Sequence, residues 1–355
     1  MATLTQTSIT ARKVIRYGIY AVILIIIARF SYRTAASIYR RLFPPPPEPP
    51  KLEFGRLPVL PHPQETFPEN LTYKLETQDG QLPEMPQQYH VFVMPPESSS
   101  INVEDEARAK AQKLGFEPDG KPVVESVPNI YVFNKTNSPA TLTMNIVTKV
   151  FSVNYDLDAD PTALGSIPPT KEAAISFVEN FLNRAGLLED DLKNGVYTHD
   201  YYKVEGGEFA KALSQSEADV IKLNLYRAPY KETPSVTPDF PIESNIWFML
   251  SRTQRGQTQI IGGEYHYYPV EVNKSSTYPL RGINEAWEDL KSGKGFITNV
   301  GDNQGEVVIR KVYLAYYDPG QYTEFYQPVF VFEGDGRFAA VVPAISKEQI
   351  ASEEE

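Results

Sequence analysis

The sequence predicts an α+β protein: antiparallel sheets with helices packed on one face, tethered by one N-terminal transmembrane helix. Three observations predict it. A single strongly apolar run lies near the N-terminus; three amphipathic helical patterns follow it; and each of those precedes several strand-like runs. Because the strand runs follow one another without helices between them, βαβ crossovers are excluded and antiparallel pairing is expected.

The apolar run is "YGIYAVILIIIA", Tyr17 to Ala28, between Arg16 and Arg29. Its anchoring side chains are Tyr17, Ile19, Val22, Ile23, Leu24, Ile25, Ile26 and Ile27. A spanning helix needs ~20 residues, which the segment 14–33 supplies when the flanking arginines snorkel toward the headgroups. A basic start and a short apolar core also fit a signal peptide, with Thr34-Ala35-Ala36 as the cleavage site. Arg29 and Arg33 just before that site favour an uncleaved anchor. Arg12, Lys13 and Arg16 precede the run, and Arg29, Arg33, Arg40 and Arg41 follow it, so charge does not assign the orientation. An N-terminal anchor followed by a long domain is expected to leave that domain outside the cytoplasm, with residues 1–13 as the cytoplasmic N-terminus.

Residues 34–70 read as a proline-rich spacer. Pro44 to Pro50 holds six prolines in seven residues. Proline fixes φ and lacks an N–H, so the stretch is expected to form polyproline II and to hold the body ~20 Å from the bilayer. Pro58, Pro61, Pro63 and Pro68 carry the extended path onward. The alternative reading is a ligand for a proline-recognising domain.

The first helical pattern, "VEDEARAKAQKLGF", places Val103, Ala107, Ala111 and Leu114 on one face, with Gly115 as its stop. In the second, "TKEAAISFVENFLNRAGLL", Thr170 is the N-cap and Ala174, Phe177, Val178, Phe181, Leu182 and Ala185 form the apolar stripe. The third, "INEAWEDLKSGKG", lines up Ile283, Ala286, Trp287 and Leu290 before Gly293. Alternating β-branched and aromatic runs follow each helix, and Asp335-Gly336 signals a two-residue hairpin turn. The turn-rich "DPTALGSIPP" suggests a boundary, giving one α+β domain at 71–165 and a second at 166–345. Residues 346–355 read as a solvated acidic tail.

A net charge of -11 and a pI near 5.1 argue against nucleic acid as partner, since phosphate binding needs a basic face. No cysteine is present, which removes disulfides, thiolate nucleophiles and cysteine-based metal sites. His62, His90, His199 and His266 stand apart from any metal-ligand spacing, and no common nucleophile or phosphate-loop signature occurs. Asp156, Asp158 and Asp160 open like a calcium loop. However, Pro161 stands where that loop needs glycine and Ile167 where it needs glutamate, so a strand-to-helix turn is expected. Gly334, Gly336 and Ala339 fit a hairpin better than a dinucleotide fingerprint, because strand-like residues follow them. No cofactor is expected.

Glu264 and His266 sit two apart on a strand and can therefore share a face, as an acid–base pair would require. A carboxylate-based envelope hydrolase would need Glu264, His266, Asp318 or Glu333 to meet in one pocket. The more distinctive signal is aromatic: Tyr265, Tyr267, Tyr268, Tyr316, Tyr317, Tyr322, Phe325 and Tyr326 cluster on strands and their ends. Tyrosine couples apolar area to a polar tip and suits a partner-binding surface, although sheet propensity and core packing produce the same enrichment.

In the last third, "YPLRGINEAWEDLKSGKG", "VVIRKVYLAYYD" and "YQPVFVFEGDGRFAAVVPAI" carry a recognisable layout. Ala286 with Leu290 marks a short helix, Tyr316-Tyr317 ends a strand, and Pro328-Val329 and Ala344 bound the last segment. Residues 278–345 thereby resemble the membrane-anchored YycH/YycI regulators of a cell-wall sensor kinase. "EARAKAQKLGF" with "NIYVFN" is similar in layout to a PepSY-like helix–strand unit, and the whole is similar to uncharacterised bacterial surface proteins. The resemblance implies a non-enzymatic, membrane-tethered extracytoplasmic protein that regulates an envelope protein complex. A cytoplasm-facing membrane scaffold is the remaining alternative, and the oligomeric state is left open.

Overall fold

The computed structural model describes residues 4–42, 49–62, 71–96, 101–123, 129–303 and 305–351. They form two compact units, Met1–Pro49 and Pro50–Glu355.

The first unit is one helix, α1 (Leu4–Leu42). Its segment Ile15–Tyr39 is 25 residues of mean hydropathy 1.5, with none of it buried against protein. At ~1.5 Å per residue this spans ~37 Å, enough to cross a ~30 Å hydrocarbon core with some tilt. Ile19, Val22, Ile23, Leu24, Ile25, Ile26 and Ile27 are all about half exposed or more, as is Tyr17. Such a contiguous apolar surface needs lipid or another apolar cover. The helix continues past the expected spacer start at residue 34, because no proline interrupts "TAASIYRRL". The polyproline reading of 44–48 lies outside the described residues.

In the second unit the three helical patterns all form. α2 (Val103–Lys113) and α3 (Lys171–Arg184) bury Ala107, Ala111, Ala174, Val178, Phe181 and Leu182. Thr170 caps α3, its hydroxyl accepting the Ala173 N–H at 3.4 Å. One turn of helix, α4 (Asp190–Lys193), and the amphipathic α5 (Ile283–Lys291) follow. Gly115, Gly186 and Gly293 end helices in the left-handed conformation that suits glycine.

Strands numbered along the chain make three sheets. The largest is antiparallel throughout. In spatial order it runs β3 (Lys121–Pro122), β4 (Ile130–Lys135), β5 (Ser138–Asn145), β6 (Phe151–Tyr155), β12 (Thr258–Tyr265), β11 (Ile246–Arg252), β9 (Val220–Tyr226), β7 (Val196–Glu205) and β8 (Glu208–Ala212). Residues of α2 and α3 join its strands in one apolar core. At Gly263 a Cβ would stand 2.5 Å from the Phe248 ring, so the close approach of β12 to β11 needs glycine. The second sheet is ordered β1 (Thr72–Leu75), β15 (Glu306–Tyr317), β17 (Pro328–Gly334), β18 (Ala339–Pro343) and β14 (Phe296–Asn299). Two parallel neighbours, β1 and β10 (Ser235–Val236), line the free edge of β15, while α5 covers the sheet through Ala286 and Leu290. The third sheet joins β13 (Glu271–Pro279), β2 (Gln88–Val93) and β16 (Phe325–Tyr326).

Several expectations change. The boundary placed between 165 and 166 runs through the nine-stranded sheet, where β6 pairs with β12. The hairpin after β17 has a three-residue loop, closed by the Gly334 N–H to Phe338 carbonyl bond at 2.9 Å, with Gly336 and Arg337 left-handed. Part of the expected spacer is strapped to the body. The Phe54 N–H donates to the Tyr278 hydroxyl at 3.0 Å, and that hydroxyl donates to the Gly55 carbonyl at 2.9 Å. Leu57 is fully buried, bonding Gln349 and Ala351 through its backbone at 2.8 Å each. The start of the expected acidic tail is therefore also held by the body, and only 352–355 lies outside the described residues.

Candidate functional site

A cleft of about 340 Å³ opens where the three sheets meet. β2 contributes Phe92, β15 Tyr316 and β16 Tyr326; the segment after β9 brings Arg227 and Tyr230, and the segment after β12 brings Tyr267. Glu189, Asp190 and Asp191, at the start of α4, form its acidic rim.

Arg227 is buried at the base. Its Nε donates to Asp318 Oδ2 at 2.6 Å, Nη1 to Asp191 Oδ2 at 2.8 Å and Nη2 to the Tyr268 carbonyl at 2.5 Å. Its Cζ lies 4.3 Å from the centre of the Tyr267 ring, a cation–π contact. Burial alone would lower the guanidinium's proton affinity, but Asp318, with Tyr326 and Asp191, more than offsets this and holds it above its ordinary value. Tyr267 donates its hydroxyl to Asp191 Oδ1 at 3.0 Å, so one carboxylate holds both the arginine and the tyrosine.

The aromatic walls brace one another. Tyr316 and Tyr326 stack at 4.9 Å with 11° between planes, and Tyr230 meets Phe92 edge-on at 4.5 Å. Tyr316 donates to the His90 carbonyl at 3.0 Å. Tyr230 is carried on a tight turn in which its N–H and carbonyl exchange bonds with Thr233, both at 2.9 Å. Lys231 and Glu232 at the tip have φ of 45° and 70°. Burial pushes the Tyr316, Tyr326 and Tyr267 hydroxyls well above the usual phenol range, so they stay protonated.

Of the eight aromatic residues singled out from sequence, Tyr267, Tyr316 and Tyr326 line this cleft. Tyr268 adjoins it, buried and offering its carbonyl to Arg227. Tyr265 belongs to the large core, stacked on Phe151 at 5.0 Å with its hydroxyl on the Leu187 carbonyl. Tyr317 is buried on the opposite side of β15, with Leu60 and Val236. Phe325 stacks on Phe54 of the strap at 5.1 Å, and Tyr322 stands exposed. Sequence reasoning missed Arg227, Asp191, Phe92 and Tyr230, for which no local motif offers a signal.

Glu264 and His266 do pair, Oε2 to Nε2 at 2.8 Å, in a separate groove that Tyr268 helps to line. The hydrogen bond to Glu264 raises the His266 pKa, against burial. Its Nδ1 meets the Gly320 carbonyl at 3.2 Å. Both ring nitrogens are already engaged, Nε2 with the Glu264 carboxylate and Nδ1 with the Gly320 carbonyl, so neither stands free toward a substrate. Asp318 is committed to Arg227, and Glu333 accepts the Tyr313 hydroxyl, so the four groups do not meet in one pocket. Asp156 Oδ1 accepts the Asp158 and Ala159 N–H groups at 3.0 Å, and Asp160 caps the next turn, the strand-to-helix turn expected.

Fold and cleft define a class: an α+β body behind one candidate membrane helix, with a tyrosine-walled, acid-rimmed cleft at the junction of its sheets. Neither a known family pattern nor a curated protein matches the chain, so the YycH/YycI likeness gains no support from them. Among solved structures, the Bacillus megaterium YpeB C-terminal domain is similar at 11% identity and a TM-score of 0.33, covering 71% of this chain and 95% of its own. An uncharacterised protein from Eubacterium rectale is similar at 13% identity and a TM-score of 0.32, covering 74% and 84%. Scores this low attach no function to the chain.

Proposed function

We propose that this is a membrane-anchored, non-enzymatic binding protein whose body lies outside the cytoplasm and engages a protein of the cell envelope through the tyrosine-walled cleft. The observation that supports this reading is the cleft itself. It gathers aromatic walls, a braced arginine and an acidic rim from six separate chain segments, as a preorganised binding site does. Packing needs alone do not call for such an opening, since interiors close to near-crystalline density. The apolar side chains of α1 supply the anchor.

Two experiments test it. Protease added to intact cells should remove the body; loss only after lysis would place it on the cytoplasmic side. Site-specific photocrosslinking from Tyr230 should capture an envelope protein, and Tyr230→Ala with Tyr267→Ala should abolish capture by a crosslinker placed at the rim. Undiminished capture by that variant would sink the cleft as the binding site.

A further inference from the structure

The cleft's charge and its walls select one kind of ligand. Three rim carboxylates, Glu189, Asp190 and Asp191, face one cation, Arg227. Arg227 is already neutralised from behind by Asp318, whose side chain is 7% exposed. Among the described residues, Asp318 Oδ1 accepts no hydrogen bond, so this carboxylate is incompletely compensated. The lining therefore sums to two negative charges, and to three with Asp318. An anion entering would meet a net negative rim; a cation would meet, of its own sign, the neutralised arginine, Lys231 beside Tyr230 and, farther out, Lys110, whose ammonium acts on Glu189.

The walls favour the same sign. Aromatic faces carry negative quadrupole density and attract cations, most strongly where water is excluded. The protein uses this chemistry twice at the cleft: Arg227 lies over Tyr267, and the Lys231 ammonium lies 5.3 Å from the Tyr230 ring centre at the rim. The volume suits a single side-chain-sized group, near the lower end for ligand pockets.

We infer that the cleft binds an organic cation, an ammonium or guanidinium group, seated among Phe92, Tyr230 and Tyr316 and drawn in by Glu189 and Asp190. This deepens the proposed function and rests on the cleft being its binding site. The cation is carried either by a free small molecule or by a lysine or arginine side chain of the partner.

The test is calorimetric titration of the full-length protein in detergent, at constant ionic strength. Its probes are tetramethylammonium, the uncharged isostere neopentane carrying a solubilising hydroxyl, acetate, arginine amide and a short arginine-containing peptide. Cations should bind about tenfold or more tighter than the neutral isostere, and acetate should not bind. Glu189→Gln with Asp190→Asn, both on the exposed rim, should weaken cations severalfold and leave the neutral probe unchanged. Equal binding of the neutral isostere, or cation binding indifferent to the rim variant, overturns the inference. A peptide tighter than arginine amide assigns the cation to a protein partner; equal affinities assign a free molecule. Failure of the two ideas is separable. Crosslinked capture that depends on the cleft, without any cation preference, overturns this inference alone. Cation binding with capture indifferent to the cleft overturns the proposed function alone.

Discussion

Arg227 concentrates the energetics of the site. Its side chain is 5% exposed and its partner Asp318 7% exposed, so both charges depend on each other for solvation. Arg227→Ala leaves Asp318 uncompensated in the interior and should cost about 3–5 kcal/mol, read as a lower urea midpoint. Arg227→Met combined with Asp318→Leu should recover most of that loss, because removing both charges avoids the orphaned carboxylate. His266 gives a pH signature. Its folded pKa is raised above the ordinary ~6.5, mainly by Glu264, so its contribution is fully present below that value and is lost as pH rises through the folded pKa. Stability should therefore fall by a small increment across that alkaline flank, and Glu264→Gln should erase the step. At this scale the sequence was half legible. Tyr316 and Tyr317 are neighbours on β15, so they must point to opposite faces, and the pair could supply only one residue to any cleft. Which one was settled by Phe92 and Tyr230, whose proximity no spacing reveals.

Among the elements, the helices were readable because an apolar stripe repeating near 3.6 residues has one interpretation, and Thr170 and the terminal glycines fixed their ends. The sheet partners were not. β6 and β12 lie on opposite sides of α3 in the chain and yet pair directly, so the turn-rich segment resembling a domain boundary is a short helical turn and loop within one continuous sheet's connections. The turn carrying Tyr230 has no sequence signal either, because it holds two ordinary residues in left-handed backbone where Asn-Gly is the usual signal. Replacing Lys231-Glu232 by Asn-Gly should relieve that strain and stabilise the protein by roughly 0.5–1 kcal/mol, after allowance for the lost Lys231–Tyr230 contact. Thermal unfolding measures it directly, and a destabilisation would show the backbone there to be unstrained.

Considered whole, the body begins at its strap. The prolines of 50–62 signal a spacer in sequence although the segment lies on the body, because proline reports an extended path and is silent about whether that path lies on a surface. Leu57 has no exposure and packs with Val91, Tyr278 and Ile345. Leu57→Ala should cost about 2–5 kcal/mol, as for other buried leucines. Amide exchange should then rise first in the strap and at Gln349 and Ala351, its backbone partners. The strap has a mechanical consequence. It is bonded to Ser276, Thr277 and Tyr278 of β13, which pairs with β2, which pairs with β16. Those last two strands carry Phe92 and Tyr326. Tension arriving at Pro50 is thus passed directly to the three-stranded sheet that forms a wall of the cleft.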